Sequence, residues 1–287
     1  VPTAPDVEGL SASYETYELR AWREALGGAA NAAAEEAPEP VPTDYDLVLT
    51  QDRLNIWLDR IAAVEQFAFD TETTGLNYMD AEIVGVSICT TPGQAAYIPF
   101  GHDYPEAPEQ LKQSDVLDQL SVFLNDPKKL VIGQNLKFDL SILARCGRTI
   151  NAPIADTMLE SYVYNSVATR HNMDDLAQKY LGRKTVKFEE IAGKGVKQRT
   201  FNQIELEAAG HYAAEDADIT FQLHEVLWPK ISGDNRLLPV YQNLEVPLIR
   251  VLSQIERNGV LIDCGMLETQ SEEITRELAD LTVTAFE

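Results

Sequence analysis

Four acidic residues in three separate segments have the types and the spacing that could carry out chemistry. Asp70 and Glu72 lie in Phe-Asp-Thr-Glu-Thr, Asp139 ends Asn-Leu-Lys-Phe-Asp, and Asp216 ends Tyr-Ala-Ala-Glu-Asp. Carboxylate oxygens are the ligands that hard divalent cations prefer. Two such cations can stabilise both the attacking and the leaving oxygen of a phosphodiester. The pattern therefore indicates a two-metal site for phosphodiester hydrolysis.

The first two carboxylates follow an apolar run that predicts a strand. Residues 66–71 (Gln-Phe-Ala-Phe-Asp-Thr) have the pattern of a short buried strand. Side chains two residues apart on a strand point to the same face, so Asp70 and Glu72 can converge on one cation. Without a cation these like charges repel each other. Taken alone, the pair fits a solvated strand end that turns at Gly75 better than it fits a metal site.

Asp139 is expected at the start of a helix. Residues 130–133 (Leu-Val-Ile-Gly) predict another apolar strand, and residues 137–146 have a helical pattern. Asp139 then lies in the first helical turn, close to the end of the strand. The helix dipole also favours a carboxylate at this position, so a purely structural role stays open.

The third segment lies within a long helical pattern over about 202–229. Tyr212 and Asp216 are four residues apart and share one face of that helix. A phenol beside an attacking water can orient it by a hydrogen bond. His211 is five residues before Asp216, which fits a related kind of site that uses histidine as the general base. The spacing alone does not choose between them. Two further carboxylates are close by, Glu215 and Asp218.

The remaining pattern predicts the elements that position these residues. Pro92 and Gly93 predict a hairpin turn between two strands. Strands are expected at 47–49, 82–91, 94–100 and 260–262. Helices are expected at 11–26, 51–64, 112–125, 156–165, 172–181, 237–257 and 265–287.

Composition excludes several classes of protein. The chain has no apolar run near 18 residues and no signal-peptide pattern, so we expect no membrane segment and a cytoplasmic protein. The three cysteines are widely spaced and predict reduced thiols. The four histidines lack metal-ligand spacing, so no structural zinc is expected.

The net charge of −23 is unusual for a protein that binds nucleic acid, because phosphate contacts normally use Lys and Arg. Six of the 23 positive residues cluster in one stretch, at Arg183, Lys184, Lys187, Lys194, Lys197 and Arg199. Phe188 and Phe201 lie in the same stretch and could stack on bases. A solvated loop is the simpler interpretation of this stretch.

The three acidic segments, in this order, resemble the proofreading 3′–5′ exonucleases of the DEDD type. The wider sequence is similar to the exonuclease region of the bacterial family A polymerases, the DNA polymerase I family, over about 46–287. The matching stretches include Phe-Ala-Phe-Asp-Thr-Glu-Thr (67–73), Gly-Gln-Asn-Leu-Lys-Phe-Asp (133–139), Asp-Thr-Met-Leu-Glu-Ser-Tyr (156–162) and Tyr-Ala-Ala-Glu-Asp-Ala-Asp (212–218). The resemblance implies a ribonuclease-H-like α/β fold, with a mixed five-stranded sheet in the order 3-2-1-4-5 flanked by helices.

The same resemblance implies roles for individual residues. Its tyrosine subtype has Tyr-x-x-x-Asp as the third motif, which maps onto Tyr212 and Asp216 and makes His211 incidental. The implied catalytic residues are Asp70, Glu72, Asp139, Tyr212 and Asp216, and the four carboxylates among them would hold two Mg²⁺ ions. Mn²⁺ or Zn²⁺ would be able to substitute. The residues implied to contact the substrate strand are Leu76, Gln134, Asn135, Arg170 and Phe188.

The resemblance also divides the chain. Residues 1–26 resemble the tail of an upstream 5′-nuclease module, and 27–45 have the composition of a flexible linker. The exonuclease domain would occupy 46–232, and 233–287 would be the truncated, helical start of a polymerase domain. The implied function is removal of nucleotides from single-stranded or frayed DNA 3′ ends, by a monomer linked covalently to a polymerase. The alternatives are a non-catalytic scaffold or DNA-binding domain, and an exoribonuclease.

Overall fold

A mixed six-stranded sheet forms the centre of the protein. The computed structural model describes residues 6–17, 22 and 42–286. The strands are β1 (Asp44–Leu47), β2 (Gln66–Thr73), β3 (Ile83–Thr91), β4 (Gln94–Pro99), β5 (Leu130–Gly133) and β6 (Ile154–Asp156), in the order β1-β4-β3-β2-β5-β6. β2 pairs antiparallel with β3 and parallel with β5, so the strand that carries Asp70 and Glu72 is central.

Helices cover both faces of this sheet. In chain order they are α1 (Val7–Thr16), α2 (Gln51–Ala63), α3 (Gln113–Leu124), α4 (Leu136–Arg145), α5 (Thr157–Tyr164), α6 (Met173–Leu176), α7 (Phe188–Ala192), α8 (Leu206–Ser232), α9 (Leu237–Val240), α10 (Val246–Asn258) and α11 (Cys264–Phe286). π-helical turns follow α6 (Ala177–Leu181) and α9 (Tyr241–Glu245).

The alternation of side chains along β2 divides the core into two layers. Phe67 and Phe69 are fully buried on one face, in a cluster that includes side chains of α2, α3 and α4. Ala68, on the opposite face, packs with Ala214 and Ala217 of α8. Small residues along α8 let this helix approach the sheet closely. α4, in one layer, and α8, in the other, both pass the end of β2, where Asp70 and Glu72 lie.

The predicted strand order 3-2-1-4-5 is confirmed for β2 to β6, but the count of five is wrong. β1 adds a sixth strand, parallel to β4, at 44–47 rather than at 47–49. The predicted hairpin at Pro92 and Gly93 is present, with Gly93 at a φ of 79°. β6 was not predicted from the sequence, because three residues are too short to show a period.

Several helix boundaries differ from prediction. The long helix begins at Leu206 rather than 202, because Thr200 and Gln203 form a capping box around a separate 3₁₀ turn, Phe201–Gln203. The expected strand at 260–262 is wrong, since these residues are exposed and have no strand conformation. The first helix begins at residue 7 rather than 11 and is described over Val7–Thr16. Residues 18–21 and 23–26 of the predicted helix, and most of the predicted linker, lie outside the described residues. Within the described part of the chain, no helix is long and apolar enough to span a membrane.

Candidate active site

β2 carries the first two carboxylates into the site. It is two residues longer than predicted, so Asp70 and Glu72 both lie on the strand and face the α8 side of the sheet. A register shift in the pairing with β3 falls between Glu72 and Thr73, where the strand ends. Glu72 is 9% exposed, and Asp70 is partly buried. The strand therefore places two acidic groups at the edge of the core rather than in solvent.

Asp139 reaches the site from the opposite layer. It lies in the first turn of α4, as predicted, and is 2% exposed. The backbone N–H and the hydroxyl of Thr71 both donate to its Oδ1, at 3.0 and 2.5 Å. The start of α4 is held by Asp156, which accepts the N–H of Leu136 at 2.8 Å. Both hydrogen bonds go to one carboxylate oxygen of Asp139, and they fix this side chain against β2.

Tyr212 and Asp216 reach the site from α8. The Tyr212 hydroxyl and the Asp216 carboxylate lie close enough along one face of the helix to shift each other's pKa. His211, one residue earlier, points elsewhere, because its ring packs edge-on against Tyr45 with 5.3 Å between centroids. The structure thus brings the phenol together with the carboxylates and leaves the imidazole of His211 outside.

The two neighbouring carboxylates of α8 have other partners. Glu215 accepts the N–H of Val186 at 2.7 Å. Asp218 is fully buried and accepts hydrogen bonds from the hydroxyl of Tyr45 (2.8 Å) and the N–H of Gly93 (2.7 Å). Both carboxylates also face the guanidinium of Arg183. Glu215 and Asp218 therefore belong to a buried network that holds α8 against β1 and the β3–β4 turn.

Burial without a positive partner raises the pKa of the four predicted catalytic carboxyl groups. Burial raises the pKa of Asp70 to about 7. Burial, and then repulsion from Asp70, Asp216 and Asp139, raises the pKa of Glu72 well above its usual range. Burial and the charge of Asp70 likewise raise the pKa values of Asp139 and Asp216. The site therefore holds several groups that cannot all ionise without a cation.

The donor set fits a hard divalent metal. Oε1 of Glu72 is buried and has no hydrogen-bond partner in the structure. A buried carboxylate oxygen without a donor is costly unless a cation binds it. Among the described residues, no group of three or more acidic, His or Cys side chains is arranged so that it could hold a metal ion by itself. Mg²⁺ is usually held by one or two carboxylates together with waters and substrate phosphate, so an open arrangement suits this ion.

A cleft of about 650 Å³ opens in front of these groups. Asp70, Glu72, Tyr212 and Asp216 line its acidic side. The apolar part of its wall includes Leu76, Phe138 and Phe188. Leu76 is 93% exposed, an unusual position for a leucine. The cleft thus combines a group of carboxylates with apolar surface of the kind on which a base can stack.

The other three predicted strand contacts do not line this cleft. Gln134 donates to the carbonyl of His171 at 2.9 Å and accepts from the hydroxyl of Thr157. Arg170 is paired with Asp175 at 2.9 Å. Asn135 is exposed, adopts the left-handed conformation (φ 59°) before α4, and lines a separate small cavity beside α10. Their predicted contacts would have to lie outside the cleft.

Some functional residues were not recognised from the sequence. Thr71 binds Asp139, and only its position between two carboxylates could have drawn attention to it. Phe201 was expected to offer a face to bases, but it is 2% exposed. Its ring instead lies behind Phe188, nearly parallel at 14° with 6.4 Å between centroids. It also contacts the ring of Tyr212 at 6.0 Å, so it supports both side chains.

The sheet order and the acidic cleft at the end of β2 define the ribonuclease-H-like class of nuclease folds. The family described as 3′–5′ exonuclease matches residues 45–232, so the chain belongs to the 3′–5′ exonuclease domain family of the A-type DNA polymerases. The predicted family is thereby confirmed.

Known proteins resemble the chain over most of its length. DNA polymerase I of Pseudomonas aeruginosa is 46% identical over 296 residues, covering 100% of this chain and 32% of that protein. The chain thus spans about a third of the length of this relative. The polymerase domain of Pol1 from M. smegmatis, in complex with DNA primer-template and dNTP, has a TM-score of 0.66 at 21% identity and covers 84% of this chain and 37% of that one. Brucella melitensis NrnC with bound Mg²⁺ has a TM-score of 0.51 at 21% identity, covering 75% and 91%.

Proposed function

We propose that this cleft removes nucleotides one at a time from the 3′ ends of DNA by metal-dependent hydrolysis. The observation that carries the proposal is the unpartnered Oε1 of Glu72, buried among three other carboxylates. A divalent cation would neutralise these carboxylates, and the same cleft has apolar surface for a terminal base. Membership of the 3′–5′ exonuclease family supports the direction of attack.

The residues have distinct roles in this proposal. Asp70, Glu72 and Asp216 would hold one ion, and Asp70 and Asp139 the second. Two Mg²⁺ ions, with Mn²⁺ or Zn²⁺ as substitutes, would supply Lewis-acid stabilisation of the attacking and leaving oxygens. The bound Mg²⁺ of the Brucella protein supports this choice of ion.

Tyr212 would orient the attacking water together with Glu72. Burial and the charges of Asp216 and Glu72 raise the pKa of its phenol, so the hydroxyl stays protonated at neutral pH and can donate a hydrogen bond. This phenol can therefore orient a water but is unsuited to removing its proton.

The substrate that fits best is an unpaired DNA end. Leu76 and Phe188 provide apolar contacts that accept any base, so sequence preference should be weak. A frayed or mismatched terminus is already unpaired and does not require the energy needed to open a duplex. The DNA polymerase I relatives support a covalent link between the chain and a polymerase domain. In this proposal, the protein further acts as a monomer at the nucleoid in the bacterial cytoplasm.

The test uses a 5′-labelled single-stranded DNA, incubated with the 287-residue chain and Mg²⁺. We expect a ladder that shortens from the 3′ end and disappears with EDTA or with Asp139→Ala. Asp59→Asn, a change at an exposed residue of α2, is the matched control and should leave the ladder unchanged. An RNA of the same sequence, degraded faster than the DNA, would instead support the exoribonuclease alternative.

The scaffold alternative has its own outcome in this assay. If the wild-type chain is folded and binds Mg²⁺ but produces no ladder from any DNA, the chain does not hydrolyse DNA alone and the proposal fails. Activity retained by Asp139→Ala would contradict the two-metal assignment. Far-UV circular dichroism of each variant separates loss of activity from loss of fold.

A further inference from the structure

Arg199 has a special position among the positive residues of the chain. It is the one positively charged side chain among the described residues that line the acidic cleft. The charges that share this lining are those of Asp70, Glu72, Glu189 and Asp216. A nucleic acid strand that enters the cleft therefore meets a strongly negative wall with a single cation in it.

Two of the other basic residues in this stretch, Arg183 and Lys194, are already paired with carboxylates. Arg183 contacts Asp218 at 3.2 Å, and Lys194 contacts Glu189 at 2.6 Å. Within the described part of the chain, the hydrogen bonds of the Arg199 side chain go to backbone carbonyls only, those of Ile191 (3.0 Å) and Gln203 (3.5 Å). Its charge is thus not neutralised by a neighbouring acid.

Its attachment leaves donors free. A guanidinium has five N–H donors in a planar fork, and two carbonyl contacts use only part of them. The backbone N–H of Arg199 also donates to the carbonyl of Ala192 at 2.9 Å, which closes the loop between α7 and the 3₁₀ turn. The guanidinium is therefore held at the cleft by carbonyls while part of the fork faces outward. Planar forks of this kind suit phosphate oxygens.

We infer that Arg199 binds a backbone phosphate of the strand that occupies the cleft, and so offsets the repulsion between that strand and the carboxylates. This inference rests on the proposed exonuclease function and adds a substrate-binding residue to it. Phe188, on α7 at one side of the closed loop, would stack on a base, while Arg199, at the other side, would hold the phosphate. The loop at 192–199 then joins a base contact to a phosphate contact.

A purely structural role is the competing explanation, since Arg199 closes a loop. Arg199→Gln separates the two explanations because an amide can still donate to a carbonyl but carries no charge. Arg199→Lys keeps the charge and loses the fork. Lys128→Gln is the matched control, because it removes one positive charge from an exposed residue just before β5, which does not line the cleft.

The measurement is the salt dependence of strand binding. Fluorescence anisotropy of a labelled oligothymidylate would be followed with Mg²⁺ in an Asp139→Asn background, and KM and kcat would be measured in the wild-type background. We expect Arg199→Gln to raise Kd and KM about tenfold with little change in kcat. The slope of log Kd against log salt should fall by about 0.7, the value for one phosphate contact on a single strand. Arg199→Lys should restore the slope.

An unchanged slope in Arg199→Gln, or an equal change in Lys128→Gln, would overturn the inference. A lower melting temperature with unchanged Kd would show that Arg199 only closes the loop. These outcomes are distinct from failure of the proposed function. If the wild-type chain binds the strand but does not cut it, the exonuclease proposal fails, while the binding slope still tests Arg199.

Discussion

Replacing Asp70 with asparagine should stabilise the metal-free protein while it abolishes hydrolysis. Burial raises the pKa of Asp70 from 3.8 to about 7. The folded chain therefore binds this proton more tightly than the unfolded chain. Its contribution to stability is present below about pH 4 and is lost as the pH rises towards about 7. In EDTA, the protein should lose stability across this range.

The size of the effect follows from the same two values. Each unit of difference between the unfolded-state pKa of 3.8 and the folded-state pKa of about 7 corresponds to about 1.4 kcal/mol. An ionised Asp70 therefore costs the folded protein about 4 kcal/mol at pH 8. This is an upper bound for Asp70→Asn, because the amide also needs hydrogen-bond partners in the site. A gain of about 2 kcal/mol, half the bound, would raise the melting temperature by about 4–8 °C for a domain of this size.

Urea unfolding at pH 5 and pH 8 in EDTA measures the effect. We expect Asp70→Asn to exceed the wild type clearly at pH 8 and by much less at pH 5. Asp59→Asn, at an exposed position, should show no such difference between the two pH values. Saturating Mg²⁺ should reverse the order, because it stabilises the folded wild type by binding to it. A variant no more stable than wild type at pH 8 in EDTA would refute the reasoning that burial without a cation strains this site.

Three further predictions concern single side chains. Tyr212→Phe should lower kcat by less than Asp139→Ala does, because it removes one hydrogen bond to water, whereas His211→Ala should leave kcat unchanged. Rapid-quench kinetics on a single-stranded DNA compares the three variants. A larger loss of kcat in His211→Ala than in Tyr212→Phe would favour the histidine subtype. Leu76→Ala should change the free energy of unfolding by less than about 0.5 kcal/mol, since the side chain is 93% exposed, yet raise KM; a large loss in urea unfolding would contradict this. Lys129→Met should destabilise the fold by about 2 kcal/mol, because its ammonium donates to the carbonyls of residues 61, 62 and 64 at the end of α2; unchanged urea unfolding would contradict it.

The elements that carry the site were predictable because their patterns are local. Alternation along 66–71 places Asp70 on a strand, and the apolar run at 130–133 places Asp139 after the next strand. The strand order came from the resemblance to known exonucleases and is confirmed, apart from the additional β1. The predicted start of the long helix was wrong because a specific side-chain contact sets it. The capping box of Thr200 and Gln203 separates a 3₁₀ turn from α8.

The positions of the other implied strand contacts were less predictable. Gln134 and Arg170 were assigned from the resemblance, but in the structure their side chains bind neighbouring protein groups. In the sequence, Arg199 is only one of several positive residues in the stretch 183–199. Which of these residues faces the cleft depends on how the loop after α7 folds back, and this has no periodic pattern in the sequence.

The sequence by itself determined the types of chemical group and the family of the chain. Residue order and local periodicity are sufficient for this, because strand and helix patterns depend on neighbours along the chain. Tertiary structure alone decided how the groups meet. Asp139 and Asp216 are 77 positions apart (216 − 139) and reach β2 from opposite faces of the sheet. Burial raises the pKa values of both groups, and Oε1 of Glu72 is buried beside them without a hydrogen-bond partner. This desolvation depends on packing across the whole core, which local sequence patterns do not determine.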